Sequence, residues 1–148
     1  MIRPLTMGDV HECARLYVEV FQSSPWNETW PLHDARTRLR DFLAAPGAAG
    51  VGLLDDSELI GFALGRRERS MGEDHFYLQE MCVHPDRQRQ GHGGSLLQGL
   101  MDHVRGIAQW YLLTARSSAA AEFYTRNDFT VSARMQVPTR RSPQTPAS

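Results

Sequence analysis

Apolar residues recur at helical spacing in three segments of the chain, which predicts three amphipathic helices. The three stripes are, in chain order, Val10, Cys13, Ala14, Tyr17 and Phe21; Leu32, Ala35, Leu39, Phe42 and Leu43; and Leu96, Leu97, Leu100, Met101 and Val104. We expect a fourth helix around Ala119–Arg126. Asp9 precedes the first stripe, so its carboxylate is expected to accept from the free backbone N–H groups of the first helical turn.

Runs of apolar, aromatic and β-branched residues between turn residues predict strands. The predicted strands are Ile2–Pro4, Gly50–Leu54, Glu58 to about Arg69, His75–Val83, Trp110–Leu113 and Phe129–Val137. The order strand, loop, helix, strand from His75 to Leu113 predicts a parallel crossover. Residues 138–148 are rich in proline, serine and threonine without apolar periodicity, so we expect a disordered tail.

Composition and charge exclude several classes of function. With 148 residues and 41% hydrophobic residues, the chain is large enough for one domain with its own core. Its formal net charge of −1 creates no global field toward nucleic acid or an anionic membrane, and neither is expected as a partner. All 16 basic residues are arginines. A Walker-type phosphate loop and a Schiff-base enzyme both need lysine, so both are excluded.

The two cysteines and the lack of a long apolar stretch indicate the cellular compartment. Cys13 and Cys82 fall in apolar segments without the spacing of a disulfide framework or a zinc site. They are therefore expected to be buried free thiols in a reducing cytoplasm. Because no stretch of about 18 apolar residues occurs, we expect a soluble cytoplasmic protein.

A glycine-rich segment follows the strand that ends at Val83. It places Gln88, Gly91 and Gly93 at the spacing Gln/Arg-x-x-Gly-x-Gly/Ala. Glycines let consecutive N–H groups point inward, and the helix that begins there adds its positive end, so a diphosphate can be bound without lysine. The dinucleotide-binding fingerprint fits poorly, because Leu96 stands where its third glycine belongs and about seven residues separate the strand from Gly91.

These residues, with Val83-His84-Pro85 before them and the paired leucines Leu96 and Leu97 after them, resemble the signature of the GCN5-related N-acetyltransferase (GNAT) superfamily. The Ile2-Arg3-Pro4 opening and the Phe123-Tyr124 pair extend the resemblance over about residues 1–137. It implies a single N-acetyltransferase domain there, of the α+β acyl-CoA N-acyltransferase fold. That fold has a mixed sheet of six or seven strands and about four helices. The sheet is splayed between its fourth and fifth strands, where acetyl-CoA binds as co-substrate.

The resemblance also implies which residues bind the donor. The strand backbone at Met81, Cys82 and Val83 would pair with the pantetheine arm, and the loop would hold the pyrophosphate. The loop residues are Gln88, Arg89, Gln90, Gly91, His92, Gly93, Gly94 and Ser95. The Arg89 side chain either contacts a CoA phosphate or is solvated. His92 is expected to bind through its backbone N–H, with a catalytic role as the alternative.

Transfer to a primary amine requires a base, because an ammonium group with a pKa of about 10 is not nucleophilic. The resemblance places an acidic residue at Glu80, acting directly or through water, and apolar neighbours would raise its pKa. The alternative is an arginine-paired residue on a strand face. Tyr124 corresponds to the general acid for the CoA thiolate, with a plain core aromatic as the alternative. Backbone N–H groups near Met81 or Cys82 would polarise the thioester oxygen.

Direct attack by the amine needs neither a metal nor an enzyme nucleophile, and neither an HExxH nor a Gly-x-Ser-x-Gly motif occurs. The loop between the first two helices is expected to contact the acceptor through Trp26, Asn27, Glu28 and Trp30, with Glu28 attracting a cationic amine. The tryptophans could instead simply pin the loop. A small-molecule amine is favoured as acceptor. The alternatives are a peptide or protein acceptor and a noncatalytic acyl-CoA-binding module. A homodimer is plausible.

Overall fold

The computed structural model describes residues 1–144, which form five strands and four α-helices. The strands are β1 Ile2–Pro4, β2 Ala48–Asp55, β3 Glu58–Ser70, β4 Glu73–Val83 and β5 Gln109–Tyr111. The helices are α1 Val10–Gln22, α2 Leu32–Ala44, α3 His92–His103 and α4 Ala119–Arg126, with short 3-10 turns at Met7–Asp9 and Pro85–Arg87. The four predicted helices and five of the six predicted strands are confirmed, with ends shifted by a few residues.

One mixed sheet in the order β1-β2-β3-β4-β5 forms the centre of the fold. Neighbouring strands are antiparallel from β1 to β4, whereas β5 runs parallel to β4. The predicted crossover through α3 and the mixed α+β class are thus confirmed. Within residues 1–144 the sheet has five strands, not the six or seven expected.

Helices cover both faces of this sheet. Phe62 and Leu64 of β3 belong to the apolar cluster that also contains the buried residues of α1 and α2. Gly61 faces the opposite side, where an added Cβ would come within 2.9 Å of Leu96 Cδ1 on α3. Because side chains alternate along a strand, α1 and α2 cover one face and α3 the other. Cys82 lies in the first cluster, so β4 presents every second side chain to α1 and α2.

The predicted strand Phe129–Val137 is wrong. These residues form no ladder, and Val131 is 91% exposed. The Ser132 hydroxyl instead accepts hydrogen bonds from the backbone N–H groups of Arg134 and Met135, at 3.2 and 3.0 Å. A side chain that satisfies nearby backbone donors in a local turn competes with strand pairing. The apolar alternation in this segment therefore did not produce a strand.

The Asp9 carboxylate does not cap α1 as expected. Its oxygens accept from both terminal nitrogens of Arg3, at 2.9 and 2.8 Å, and from the backbone N–H of Thr6 at 2.8 Å. Asp9 therefore closes the 3-10 turn before α1 and ties it to β1. The Arg3 guanidinium, and secondarily the Thr6 N–H, hold the pKa of this carboxyl below its usual value despite partial burial.

Replacing Asp9 with asparagine is expected to lower the free energy of unfolding by about 1 kcal/mol at pH 7. A carboxyl with a lowered pKa in the folded state stabilises the protein above its unfolded pKa of about 3.9, and this contribution disappears as the pH falls through the folded pKa. The difference between Asp9→Asn and wild type should therefore shrink between pH 7 and pH 3 in urea titrations. Asp41→Asn, which alters an exposed carboxylate, is the control. Equal stability at pH 7 would contradict this role.

Contacts between residues divide the chain into two units, which are Met1–Leu113 and a smaller unit beginning at Thr114. The first holds the whole sheet with α1, α2 and α3. The second contains α4, whose first turn is capped by the Ser118 hydroxyl accepting from Ala121 N–H at 3.0 Å. The expected single domain over residues 1–137 stays a prediction.

The C-terminal tail is described only in part. Residues 138–144 are exposed and form neither helix nor strand, whereas residues 145–148 of the predicted disordered tail lie outside the described residues. Across the described part of the chain, no helix has the length and apolarity needed to cross a bilayer.

Candidate active site

The edge of β4 is paired along only part of its length. β5 pairs with β4 at His75–Tyr77 and no further. On the other edge, His84 N–H donates to Ile60 O of β3 at 2.7 Å. In an antiparallel pair, every second residue directs its backbone N–H and C=O groups toward the same neighbouring strand. The backbone groups of Cys82 therefore also point toward β3, whereas those of Met81 and Val83 point toward the unpaired edge. The sheet thus opens between its fourth and fifth strands.

Glu80 is brought to the face covered by α1 and α2. It lies directly after a bulge, because Leu64 pairs with Glu80 and Gly65 with Leu78, which leaves Gln79 without a partner. The Glu80 side chain is 9% exposed. Its Oε1 accepts from Arg38 Nε of α2 at 2.8 Å and from the Tyr17 hydroxyl of α1 at 3.3 Å.

Opposing effects set the ionisation of Glu80. Burial raises the pKa of this carboxyl above its usual value, and the charge of Glu28 adds to the rise. The hydrogen bond and charge of Arg38, and the bond from Tyr17, act in the opposite direction. Burial and the neighbouring carboxylate raise the pKa of Tyr17, which therefore stays protonated and donates. Glu80 is thus a buried carboxylate that is paired with arginine and still has a raised pKa.

Three contacts fix the start of the loop after β4. His84 Nε2 lies 3.1 Å from Glu19 Oε1, and Arg87 Nη1 lies 2.7 Å from Asp55 Oδ2. Gln88 Nε2 donates to Val83 O at 3.0 Å, so its side chain braces the loop against the strand end. The following residue, Arg89, adopts positive φ (63°) and is exposed.

The N-terminus of α3 is open toward a ligand. Gly91 precedes the helix at φ 82° and supplies no side-chain cap. Ser95 N–H bonds to Gly91 O at 3.1 Å, so the N–H groups of His92, Gly93 and Gly94 precede the first intrahelical bond. Within residues 1–144, a Cβ at Gly91 or Gly94 would meet no heavy atom within 4 Å. Packing therefore does not demand glycine at Gly94, and the cradle fits a diphosphate that approaches the backbone closely.

Trp26 and Asn27 stabilise the loop between α1 and α2. The Trp26 ring packs edge-on against Phe21 of α1, with centroids 5.2 Å apart. Asn27 has positive φ (51°), and its side-chain amide donates to Pro25 O at 3.2 Å. Both residues thus hold the loop to α1 and to itself.

Trp30 connects this loop to the partners of Glu80. Its ring packs edge-on against Tyr17 with centroids 5.0 Å apart, and the Arg38 guanidinium carbon lies 5.6 Å from its centroid. Its indole N–H donates to Glu28 Oε1 at 2.9 Å. Trp30 and Glu28 therefore belong to the surroundings of Glu80, and Glu28 is already hydrogen-bonded to the indole.

A shallow, open groove of about 400 Å³ runs along one side of α2. Its lining residues are His33, Asp34, Thr37, Arg38, Asp41 and Phe42. Arg38 belongs both to this groove and to the cluster around Glu80. The carboxylates of Asp34 and Asp41 are exposed, and with Arg38 they give the groove charges of both signs.

Tyr124 lies on α4, in the second unit. Its ring makes edge-on contacts with Phe123 and Phe129, with centroids 5.1 and 5.5 Å away. The Phe129 N–H also bonds to Tyr124 O at 3.0 Å, which folds the chain back after the helix.

Tyr17 and Arg38 are site residues that the sequence reasoning missed. Tyr17 stands in the apolar stripe of α1, and Arg38 stands beside the buried Leu39 of α2. The available signal was indirect: a tyrosine in a buried stripe needs a partner for its hydroxyl, and a buried Glu80 needs a donor. Nothing local to Arg38 distinguishes it from a solvated arginine.

Comparisons with known proteins agree with this geometry. A family model described as "Acetyltransferase (GNAT) domain" matches residues 48–131, more than half of the chain. A ribosomal-protein-alanine N-acetyltransferase from Brucella melitensis biovar Abortus 2308 is 19% identical with a TM-score of 0.73, covering 95% of this chain and 98% of that one. An aminoglycoside acetyltransferase from an uncultured soil metagenomic sample, solved with sisomicin, is 17% identical with a TM-score of 0.72, covering 97% and 96%.

A third similar structure has a different description. A transcriptional regulator from Bacillus halodurans C-125 is 16% identical with a TM-score of 0.74, covering 96% of this chain and 99% of that one. A search of curated proteins found no significant match. At these identities the structural likenesses establish the fold alone.

Proposed function

Because this chain belongs to the GNAT acetyltransferase family, we propose that it is an N-acetyltransferase that transfers the acetyl group of acetyl-CoA to a primary amine within a ternary complex. The observation that carries the proposal is the unpaired edge of β4 at Met81 and Val83, followed by a helix N-terminus without a side-chain cap. An extended pantetheine arm can pair with such an edge, and a diphosphate suits such an N-terminus.

In the proposed reaction the amine nitrogen attacks the thioester carbonyl, so that an N–C bond forms and the C–S bond breaks. Glu80 accepts the proton that the ammonium must lose, directly or through water. The N–H of Met81 lies on the unpaired edge and can donate to the carbonyl oxygen as negative charge develops there. Tyr124 supplies the proton to the departing thiolate.

Neither cysteine suits a covalent intermediate, which supports direct attack. Both are free and buried, as predicted. Burial raises the pKa of Cys13 to about 12 and raises the pKa of Cys82 well above its usual value. A thiol must lose its proton to act as a nucleophile, so neither is an effective nucleophile near neutral pH.

A small amine with more than one positive charge is the proposed acceptor. The groove along α2 is shallow and open, and its exposed carboxylates Asp34 and Asp41 can attract a second ammonium group. Trp26, Asn27, Glu28 and Trp30 would contact the acceptor from the adjoining loop. The similar structures include enzymes described as acting on an aminoglycoside and on a ribosomal protein, so a peptide or protein acceptor is the alternative.

Thermal melts with acetyl-CoA test the donor, and an amine panel tests the acceptor. Ligand at 100 times its Kd should add about 2.7 kcal/mol of stability and raise Tm measurably. A thiol-reactive dye should then report CoA release with small polyamines or aminoglycosides. No shift at millimolar acetyl-CoA would overturn the proposal. A mass gain of acetyl on peptides without small-amine turnover would favour the alternative acceptor, and binding without any turnover would favour a noncatalytic acyl-CoA module.

A further inference from the structure

We propose that Tyr17 and Arg38 are positioning residues that hold the Glu80 carboxylate ionised and fixed through Oε1, so that Oε2 is the oxygen that receives the proton. The inference rests on the proposed function, because it specifies what each carboxylate oxygen of Glu80 does in that reaction. It goes further in naming two residues and one oxygen.

The hydrogen-bond geometry separates the two oxygens of Glu80. Both donors, Arg38 Nε at 2.8 Å and the Tyr17 hydroxyl at 3.3 Å, reach Oε1. Within residues 1–144 no hydrogen bond reaches Oε2. The buried side-chain atoms without a partner in this part of the chain are Arg66 Nε and Gln79 Oε1. Oε2 is therefore not sealed from solvent and can accept a proton from water or an amine.

The two donors are themselves held in place. The Arg38 guanidinium carbon lies 4.8 Å from the Phe42 centroid and 5.6 Å from that of Trp30. Tyr17 packs edge-on against the same Trp30 ring. Such contacts restrict a guanidinium whose side chain is 42% exposed and would otherwise sample several rotamers. The donors on α1 and α2 thus both contact the Trp30 ring.

Charged and titratable groups around Glu80 have opposing effects. Arg38 from α2 and Tyr17 from α1 stabilise its ionised form, and Glu28 from the connecting loop destabilises it. Cys82, on the same strand, stays neutral because burial raises its pKa. The opposing residue on β3, Leu64, carries no charge. Burial raises the pKa of Glu80, whereas Arg38 and Tyr17 act to lower it, so both donors favour the ionised form that can serve as a base.

The proton transfer has a simple balance. A proton leaves the ammonium nitrogen and is held on Oε2, while both hydrogen bonds to Oε1 remain. Loss of either donor should therefore change the pH at which Glu80 becomes a base. It should change the acetyl-transfer rate much less at high pH, where Glu80 is ionised in any case.

The test compares pH profiles of kcat/KM in Arg38→Gln, Arg38→Lys and Tyr17→Phe. The acidic limb should move up by about one pH unit in Arg38→Gln and less in Tyr17→Phe. Arg38→Lys keeps the charge and should restore the limb. The control is Arg40→Gln, which alters an exposed arginine about half a turn further along the same helix. It should leave the pH profile unchanged.

A direct titration separates this inference from the proposed function. The Glu80 carboxyl can be followed by carbon-13 NMR, assigned by its loss in Glu80→Gln, without any turnover. A higher titration midpoint in Arg38→Gln and Tyr17→Phe supports the inference even if no amine is acetylated. Unchanged midpoints in both folded variants overturn it, whatever happens to the activity.

Discussion

Replacing Glu80 with glutamine is expected to lower kcat/KM for an amine acceptor by about 100-fold or more and to remove the acidic limb of its pH profile. Glutamine keeps the size of the side chain but cannot accept the ammonium proton. In wild type, activity should rise with pH as Glu80 loses its proton. Because burial raises the pKa of Glu80, that limb should lie above the usual glutamate range of about 4.3. Initial rates of CoA release between pH 5 and pH 10 measure both effects.

The control is Glu12→Gln on α1, where the carboxylate is exposed. It should match wild type in both rate and pH dependence. Thermal melts should establish that Glu80→Gln is folded, because the change leaves Arg38 without its anionic partner. A folded Glu80→Gln enzyme with wild-type kcat/KM would remove Glu80 from the mechanism. Tyr124→Phe in the same background tests the second catalytic assignment, and full turnover of the double variant would exclude both residues.

Replacing Gly94 with glutamate is expected to abolish acetyl-CoA binding while leaving the fold at least as stable as wild type. Gly94 lies in the first turn of α3, and a side chain there would enter open space. Glutamate has a better helix propensity than glycine by about 0.5–1 kcal/mol and interacts favourably with the helix N-terminus. The same carboxylate would occupy the position proposed for the diphosphate and repel it.

Calorimetry and acetyl-CoA-dependent melting measure this prediction. We expect Kd to rise by about 100-fold or more, equivalent to about 2.7 kcal/mol, with loss of the ligand-induced Tm shift. Gln98→Glu, an exposed position one turn further along α3, adds the same charge and should bind normally. If Gly94→Glu bound acetyl-CoA as tightly as wild type, the pyrophosphate would have to lie elsewhere.

The residues proposed to bind the donor could be identified from the local sequence. Gln88, Gly91 and Gly93 stand within six residues of one another, and their roles depend on backbone geometry that glycine spacing encodes directly. The structure refines this reading in two respects. The Gln88 side chain braces Val83 O, and the backbone of Cys82 faces β3 while that of Met81 faces the unpaired edge. Both depend on strand pairing, which a motif does not specify.

The residues proposed to bind the acceptor could be predicted from the sequence only in outline. The sequence placed Trp30 and Glu28 in the loop between the first two helices and Glu80 on β4, and the structure brings Trp30 and Glu28 into the surroundings of Glu80. It offered arginine pairing and catalysis as alternatives for Glu80. The structure shows the pairing with Arg38, and burial raises the pKa of the carboxyl despite that pairing. The two interpretations are therefore compatible, and the ion pair is part of the environment that the proposed base needs.

The sequence by itself determined the helices, five strands and the glycine-rich loop, because periodicity and turn chemistry act over a few neighbouring residues. Only the tertiary structure decided the partners of the buried charges. Glu80 accepts hydrogen bonds from Tyr17, which is 63 positions away in the sequence, and from Arg38, which is 42 positions away. Asp9 does not cap the helix that it precedes but binds Arg3 on β1. Such pairs form because a charge leaving water must find a donor wherever packing brings one. That requirement is set by the assembled core and not by spacing along the chain.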